Sequence, residues 1–232
     1  MSNAPIPRET IIIGTGEPIE SENLVEFRLL FQGILLPSAG TRGHSAEKHD
    51  IRKNFHPQLK RLWSVKSGLR QMAEHIGVEG ANAKRSDSPE CRFDEGLAKM
   101  GRNWNRVGFD FVPLITSKIA LRCSLDILLL RPEENKYILR QGDIDGQLKT
   151  LFDALRMPKE QEDTGGDVPQ AGETPFFCLL EDDRLISEVH VTTDQLLVLP
   201  TEREVKANDA FVVIHVRVNH TSGSPFDRWF DT

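Results

Sequence analysis

The sequence predicts an α+β protein in which helices pack on a single mixed β-sheet. Runs of β-forming residues occur near both ends of the chain and in its middle, and two segments between them repeat apolar residues at helical spacing. The length of 232 residues suits one domain with long loops. We therefore expect one domain over residues 21–232, after a Pro- and Gly-rich, poorly ordered lead-in over residues 1–20.

The predicted strands are rich in β-branched, aromatic and aliphatic residues. The first strand covers residues 24–36, and Pro37 ends it. The last covers residues 210–218, which include the run FVVIHVRV. The remaining strands are predicted at residues 109–114, 118–130, 176–180 and 185–192.

Two amphipathic helices are predicted between these strands. The first follows the opening strand, with apolar residues at three- and four-residue steps from Ile51 to Leu69 and a kink or restart at Pro57. The second starts near Asp143 and stops at Pro158. Residues 77–108 show no lasting period and are predicted to be a long variable connection, and residues 159–174 a flexible surface excursion.

The distribution of charge favours a polyanionic partner more than its total does. The net charge is −6, yet residues 42–70 hold eight basic residues against two acidic ones. Five of them are predicted to contact nucleic acid: Arg52, Lys53, Lys60, Arg61 and Lys66. The alternative is an ordinary solvated helix face.

Several classes of protein are disfavoured. The longest apolar run, residues 125–130, includes Asp126 and is shorter than a membrane helix requires. The first residues do not resemble a secretory signal, so a cytoplasmic location is expected. Three scattered cysteines suit buried free thiols rather than disulfides or zinc, and no phosphate-binding Gly-Lys loop is present.

A candidate metal site is formed by acids around the second helix. Asp145, Lys149 and Asp153 are spaced to form one stripe on that helix, and Asp143 precedes them. Asp182 or Asp183, in a turn between strands, supplies a third carboxylate. Magnesium prefers such oxygen ligands, and a bound ion suits phosphodiester hydrolysis. Helix capping, a surface salt-bridge ladder and an ordinary turn are the alternative explanations.

The runs DIDGQLKTLFDAL (143–155) and LEDDRLI (180–186) resemble the signature of the RusA family, which has Asp-x-Asp-Asn, a Lys, Asp-x-Leu and a distal Asp-Asp. Family members are homodimeric, magnesium-dependent resolvases of four-way (Holliday) DNA junctions, often associated with prophages. The close similarity covers these segments, and the flanking strands agree more loosely.

The resemblance implies specific roles for these residues. Asp143, Asp145 and Asp183 become ligands of Mg²⁺, for which Mn²⁺ can substitute, and Lys149 becomes the essential cation. Asp182 is a supporting or additional metal residue, and Asp153 is supporting. The implied activity is a structure-selective endonuclease acting on branched DNA.

The chain departs from the family pattern in three places. Gly146 stands where the family has Asn, and residues 77–108 and 159–174 are longer than in compact members. The glycine motivates an alternative function, a non-catalytic binder of branched or single-stranded nucleic acid. A third hypothesis, a metal-dependent transferase that holds a nucleotide-sugar through Asp-x-Asp, has no second feature in support.

Overall fold

The computed structural model describes residues 25–38, 44–78, 88–132, 144–197 and 208–220, and within them the predicted α+β architecture with a mixed sheet and flanking helices is confirmed. The predicted lead-in over residues 1–20 lies outside these ranges.

The strands of the described residues are β1 (Val25–Ile34), β2 (Asn105–Arg106), β3 (Phe109–Ile115), β4 (Leu121–Arg131), β5 (Phe176–Leu180), β6 (Ile186–Gln195) and β7 (Asp209–His220). The helices are α1 (Ser45–Val65), α2 (Ser67–Val78), α3 (Pro89–Asn103) and α4 (Ile144–Leu155). Every predicted strand is present, with ends shifted by a few residues.

The strands are divided between two sheets rather than joined in one. The larger has the order β1-β7-β4-β6, with β1, β7 and β4 antiparallel and β6 parallel to β4. The smaller has the order β2-β3-β5, with β5 parallel to β3. The amide side chain of Gln58 on α1 both accepts from Leu30 N–H and donates to Leu30 C=O, so α1 covers the outer edge of β1.

The core is formed by alternate residues of the larger sheet. Along β7, Val212, Ile214, Val216 and Val218 are buried, and each lies beside a buried residue of β4. This is the alternation that directs every second side chain of a strand to one face. All three cysteines are free, as predicted, but only Cys123 and Cys178 are buried; Cys91 is exposed.

Helix α1 continues through Pro57, although proline removes one helical hydrogen bond. Buried residues on both sides of it, Phe55 and Leu59, keep the helix packed against the core. The restart lies instead at Lys66, whose extended backbone separates α1 from α2.

The prediction of an irregular connection over residues 77–108 is wrong for its described part, because α3 occupies residues 89–103. Ser88 caps this helix by accepting from Cys91 N–H at 3.2 Å, and Pro89 occupies its first turn. Glycines occupy the contact between α2 and α3, so fewer apolar side chains mark the helical period there.

The prediction of a flexible excursion over residues 159–174 is also wrong. Thr164 is buried, and a short 3-10 turn at Gln161–Thr164 packs against α1. The carbonyl of Gly172 lies 3.2 Å from the ring nitrogen of His56. The polar composition of residues 159–174 therefore reflects hydrogen bonding to α1 rather than disorder.

Within the described ranges, each helix is too short or too polar to cross a lipid bilayer.

Candidate functional site

The first turns of α4 carry two of the predicted site residues. Asp145 and Lys149 are both exposed, and their spacing places them one turn apart on the same side of the helix. The opposite side is packed inward, with Gln147, Thr150, Leu151, Ala154 and Leu155 buried. Asp143, the third predicted member of this group, lies outside the described residues.

The start of α4 is fixed against the segment that follows β1. Ser38 N–H donates to the Gly146 carbonyl at 2.9 Å, and the Gln147 amide donates to the Leu35 carbonyl at 3.0 Å. A Cβ atom at position 146 would lie 3.0 Å from the Cβ of Pro37. Glycine at this position therefore permits a close approach, and the helix start is hydrogen-bonded rather than loosened.

Asp182 and Asp183 follow β5 in a short turn. Leu180, the last residue of β5, accepts a hydrogen bond from Met157 N–H just after α4, at 2.9 Å. The 3-10 turn Asp183–Leu185 then packs against α4. The turn that carries the distal Asp-Asp pair therefore contacts α4, the helix that carries Asp145 and Lys149.

Cations hold the Asp182 carboxylate. It accepts from Arg184 Nε at 2.8 Å and from Arg184 N–H at 3.1 Å, and Lys159 Nζ lies 3.3 Å away. Partial burial opposes ionisation, but these contacts and a hydrogen bond shared with Asp183 hold the pKa of Asp182 well below its usual range. Asp182 therefore fixes the turn and places Asp183 beside it.

The described site residues supply some of the ligands that a hard divalent cation needs, but not a complete set. Among the described residues, no three His, Cys, Asp or Glu side chains form a group that could hold a metal ion. Two of the three predicted ligands, Asp145 and Asp183, stand on elements that touch, and both supply the carboxylate oxygens that Mg²⁺ prefers. Asp143 would have to complete the set.

Asp153 does not continue the exposed stripe of Asp145 and Lys149. Its carboxylate bonds Lys48 Nζ at 2.9 Å and Arg156 Nη2 at 2.8 Å, and its side chain is 15% exposed. Burial disfavours its charge, yet these two cations lower its pKa. In place of the surface salt-bridge ladder considered as an alternative, Asp153 belongs to an ion-pair network that joins α1 to α4.

Arg52 is a correction to the predicted nucleic-acid surface, because it is buried. Its guanidinium donates to the carbonyls of Asp153 at 2.8 Å and Arg156 at 3.0 Å, and to Nδ1 of His49 at 2.9 Å. Burial lowers its pKa to about 10, so it stays charged at neutral pH. These contacts tie α1 to the end of α4 and leave Arg52 unable to meet a phosphate.

The other four predicted contacts differ in availability. Lys53 is half-buried and bonds Asp167 at 2.7 Å and Asp50 at 3.2 Å. Lys60 and Arg61 are exposed on the second half of α1, and Lys66 is exposed just after its end. Within the part of the chain that the structure describes, none of these three has a carboxylate within 4.0 Å.

The sequence did not reveal a cleft between α1, α3 and the start of β5. Its volume is about 560 Å³, and its walls include Lys60, Arg61, Phe93, Leu97 and Phe177. The sequence analysis missed the cleft because it did not predict α3. Two features of the sequence indicate that helix: the Ser-Pro-Glu start at residues 88–90, and apolar residues at positions 93, 97 and 100.

No protein-family model, curated protein or solved structure matches the chain.

Proposed function

We propose that this protein is a magnesium-dependent endonuclease of the RusA type that cuts branched DNA, with four-way junctions as the model substrate. The observation that carries the proposal is the packing of the Asp183–Leu185 turn against α4, whose exposed side presents Asp145 and Lys149. Acids from two distant parts of the sequence thereby lie on elements that contact each other, and Lys149 lies on one of these elements. A cytoplasmic location is part of this proposal.

The chain's own residues would divide the work as follows. Asp143, Asp145 and Asp183 would hold Mg²⁺ or Mn²⁺, which when bound activates water and offsets charge developing on the phosphate. Lys149, one turn beyond Asp145, places a cation beside the phosphate or the leaving oxygen. Asp182 positions Asp183 through the contacts of its own carboxylate with Arg184 and Lys159.

The proposal includes a homodimer, because a two-fold protein matches the two-fold symmetry of a four-way junction. The outer face of the larger sheet offers a surface for it. Leu30 lies beside Val213, which lies beside Leu128, and Phe211 lies beside Leu130. These apolar side chains are half-buried or exposed, with Leu30 at 48%. A second copy would cover such a face.

The decisive test is cleavage of end-labelled branched DNAs in Mg²⁺ by the wild type, Asp183→Asn and Lys149→Ala. We expect each substitution to lower the cleavage rate by roughly 100-fold or more, since each removes charge at the reacting phosphate. The affinity for the junction in Ca²⁺ should stay within about threefold of the wild type, which corresponds to about 0.6 kcal/mol of binding free energy.

Glu188→Gln, an exposed acid on β6, is the matched control and should cleave like the wild type. Equal cleavage by the wild type and Asp183→Asn would contradict the proposed site. Junction binding without any cleavage would favour the non-catalytic alternative, for which the engagement of Asp182 by Lys159 and Arg184 is the supporting observation.

A further inference from the structure

We propose that the cleft between α1 and α3 binds one unpaired nucleotide of the DNA, with the base inside and its phosphate on Lys60 and Arg61. The choice of DNA as the occupant rests on the proposed function. The site lies apart from the acids at α4 and adds a preference for strands with unstacked bases.

The dimensions and walls of the cleft suit a base. A volume of about 560 Å³ lies within the range of small-ligand sites, roughly 300–1,000 Å³. Phe93 and Leu97 of α3 and Phe177 of β5 form apolar walls. Aromatic side chains in such walls bind bases by stacking without sequence preference, at about 1–3 kcal/mol per base.

The charge at the rim selects an anion over an apolar peptide. Lys60 and Arg61 both line the cleft and are exposed. Among the described residues, the one hydrogen bond of their side chains runs from Lys60 Nζ to the Gly172 carbonyl at 3.4 Å, and neither side chain forms an ion pair there. On the opposite wall Asp94 is exposed and can accept a hydrogen bond from an exocyclic amino group of the base.

The chain between the cleft and Asp183 limits how far apart the bound base and the proposed cleavage site can lie. Phe177 lines the cleft at the start of β5, and Asp183 follows the end of the same strand. At about 3.3 Å per residue this segment spans at most on the order of 20 Å. That limit corresponds to at most about six nucleotides of stacked duplex DNA, at about 3.4 Å per nucleotide.

The test compares two single strands of about 12 nucleotides, one of thymidines and one of abasic sites with the same phosphates, in EDTA. Fluorescence anisotropy should show that the wild type binds the thymidine strand roughly 5- to 150-fold more tightly, the ratio expected for one stacked base. Phe93→Leu should reduce this ratio to near one, while circular dichroism shows an unchanged fold.

The double variant Lys60→Gln/Arg61→Gln should weaken binding of both strands and lower the slope of affinity against salt by about two. Lys66→Gln is the matched control, because Lys66 is exposed directly after the same helix but does not line the cleft. It should leave the ratio between the two strands unchanged.

Equal affinity of the wild type for the two strands would overturn the proposal, as would a ratio that survives Phe93→Leu. Binding in EDTA separates this result from the nuclease proposal. If the protein prefers the thymidine strand but never cleaves DNA, the nuclease proposal fails and the proposal for the cleft is supported. If it cleaves branched DNA without this preference, only the proposal for the cleft fails.

Discussion

At the residue scale, His49 shows what the interior does to a titratable group. Its side chain is 1% exposed, and its ring lies 5.4 Å from that of Phe109 and 5.9 Å from that of Phe176. Burial, reinforced by the neighbouring charges of Arg52 and Lys53, lowers its pKa to about 4. Because Arg52 donates to Nδ1, His49 is neutral in the native state.

We predict that the folded state loses stability as the pH falls from about 6.5 toward about 4, since the unfolded chain binds a proton that folded His49 does not. The loss attributable to His49 reaches about 3 kcal/mol. His56, whose pKa burial also lowers, adds in the same direction. Urea unfolding at several pH values measures the effect.

His49→Asn should flatten this dependence, because Asn keeps an acceptor for Arg52 and does not titrate. The same substitution at His190, which is exposed on β6, is the control and should leave the slope as in the wild type. A variant at position 49 with an undiminished slope would show that other groups govern acid stability.

At the scale of elements, the contact between α2 and α3 depends on two glycines. A Cβ atom on Gly96 would lie 1.8 Å from the Ala73 carbonyl oxygen, and one on Gly77 would lie 2.0 Å from that of Arg92. The two helix backbones therefore approach each other more closely than any side chain permits. This pairing builds the α3 wall of the cleft.

Gly96→Ala should force the helices apart and lower the free energy of unfolding by about 2 kcal/mol, the usual cost of overpacking less the gain in helix propensity. For a chain of this size the melting temperature should drop by about 4–8 °C. Lys99→Ala, on a half-buried side of the same helix, is the control and should change it little. An unchanged melting temperature for Gly96→Ala would mean that α2 and α3 are not held this closely.

At the scale of the whole molecule, the larger sheet has two different faces. Its inner face is the core, and its outer face joins an apolar half around Leu30 and Val213 to a polar half around Arg28 and His215. Charged side chains in the polar half leave the apolar half as the surface for a second copy of the chain.

Leu30→Lys should convert the proposed dimer to a monomer, because it places charge in the centre of the apolar face, whereas a residue 48% exposed contributes little to the monomer's own core. Light scattering coupled to size-exclusion chromatography gives the mass. Arg28→Ala, on the same face and strand, should keep the dimer. A wild-type monomer, or a Leu30→Lys dimer, would exclude this face as the interface.

The predicted site and its observed surroundings agree only where local pattern was sufficient. The exposed pair Asp145 and Lys149 followed from helical spacing alone. Asp153 has the same spacing but turns inward, because Lys48 and Arg156 lie beside it in the fold. The ion pair between Lys159 and Asp182 could not be predicted either. It joins a segment that was predicted to be flexible to the turn after β5.

The sequence alone determined the order of the strands, the helical segments α1 and α4 and the position of Asp145 on α4, because alternation and helical spacing are local properties of the chain. Only the tertiary structure decided which charges of α1 face the interior. Lys48 and Arg52 are buried against α4, whereas Lys60 and Arg61 remain exposed beyond it. The physical reason is that burial of a charge depends on partners from distant segments, and the spacing of residues within one helix carries no information about them.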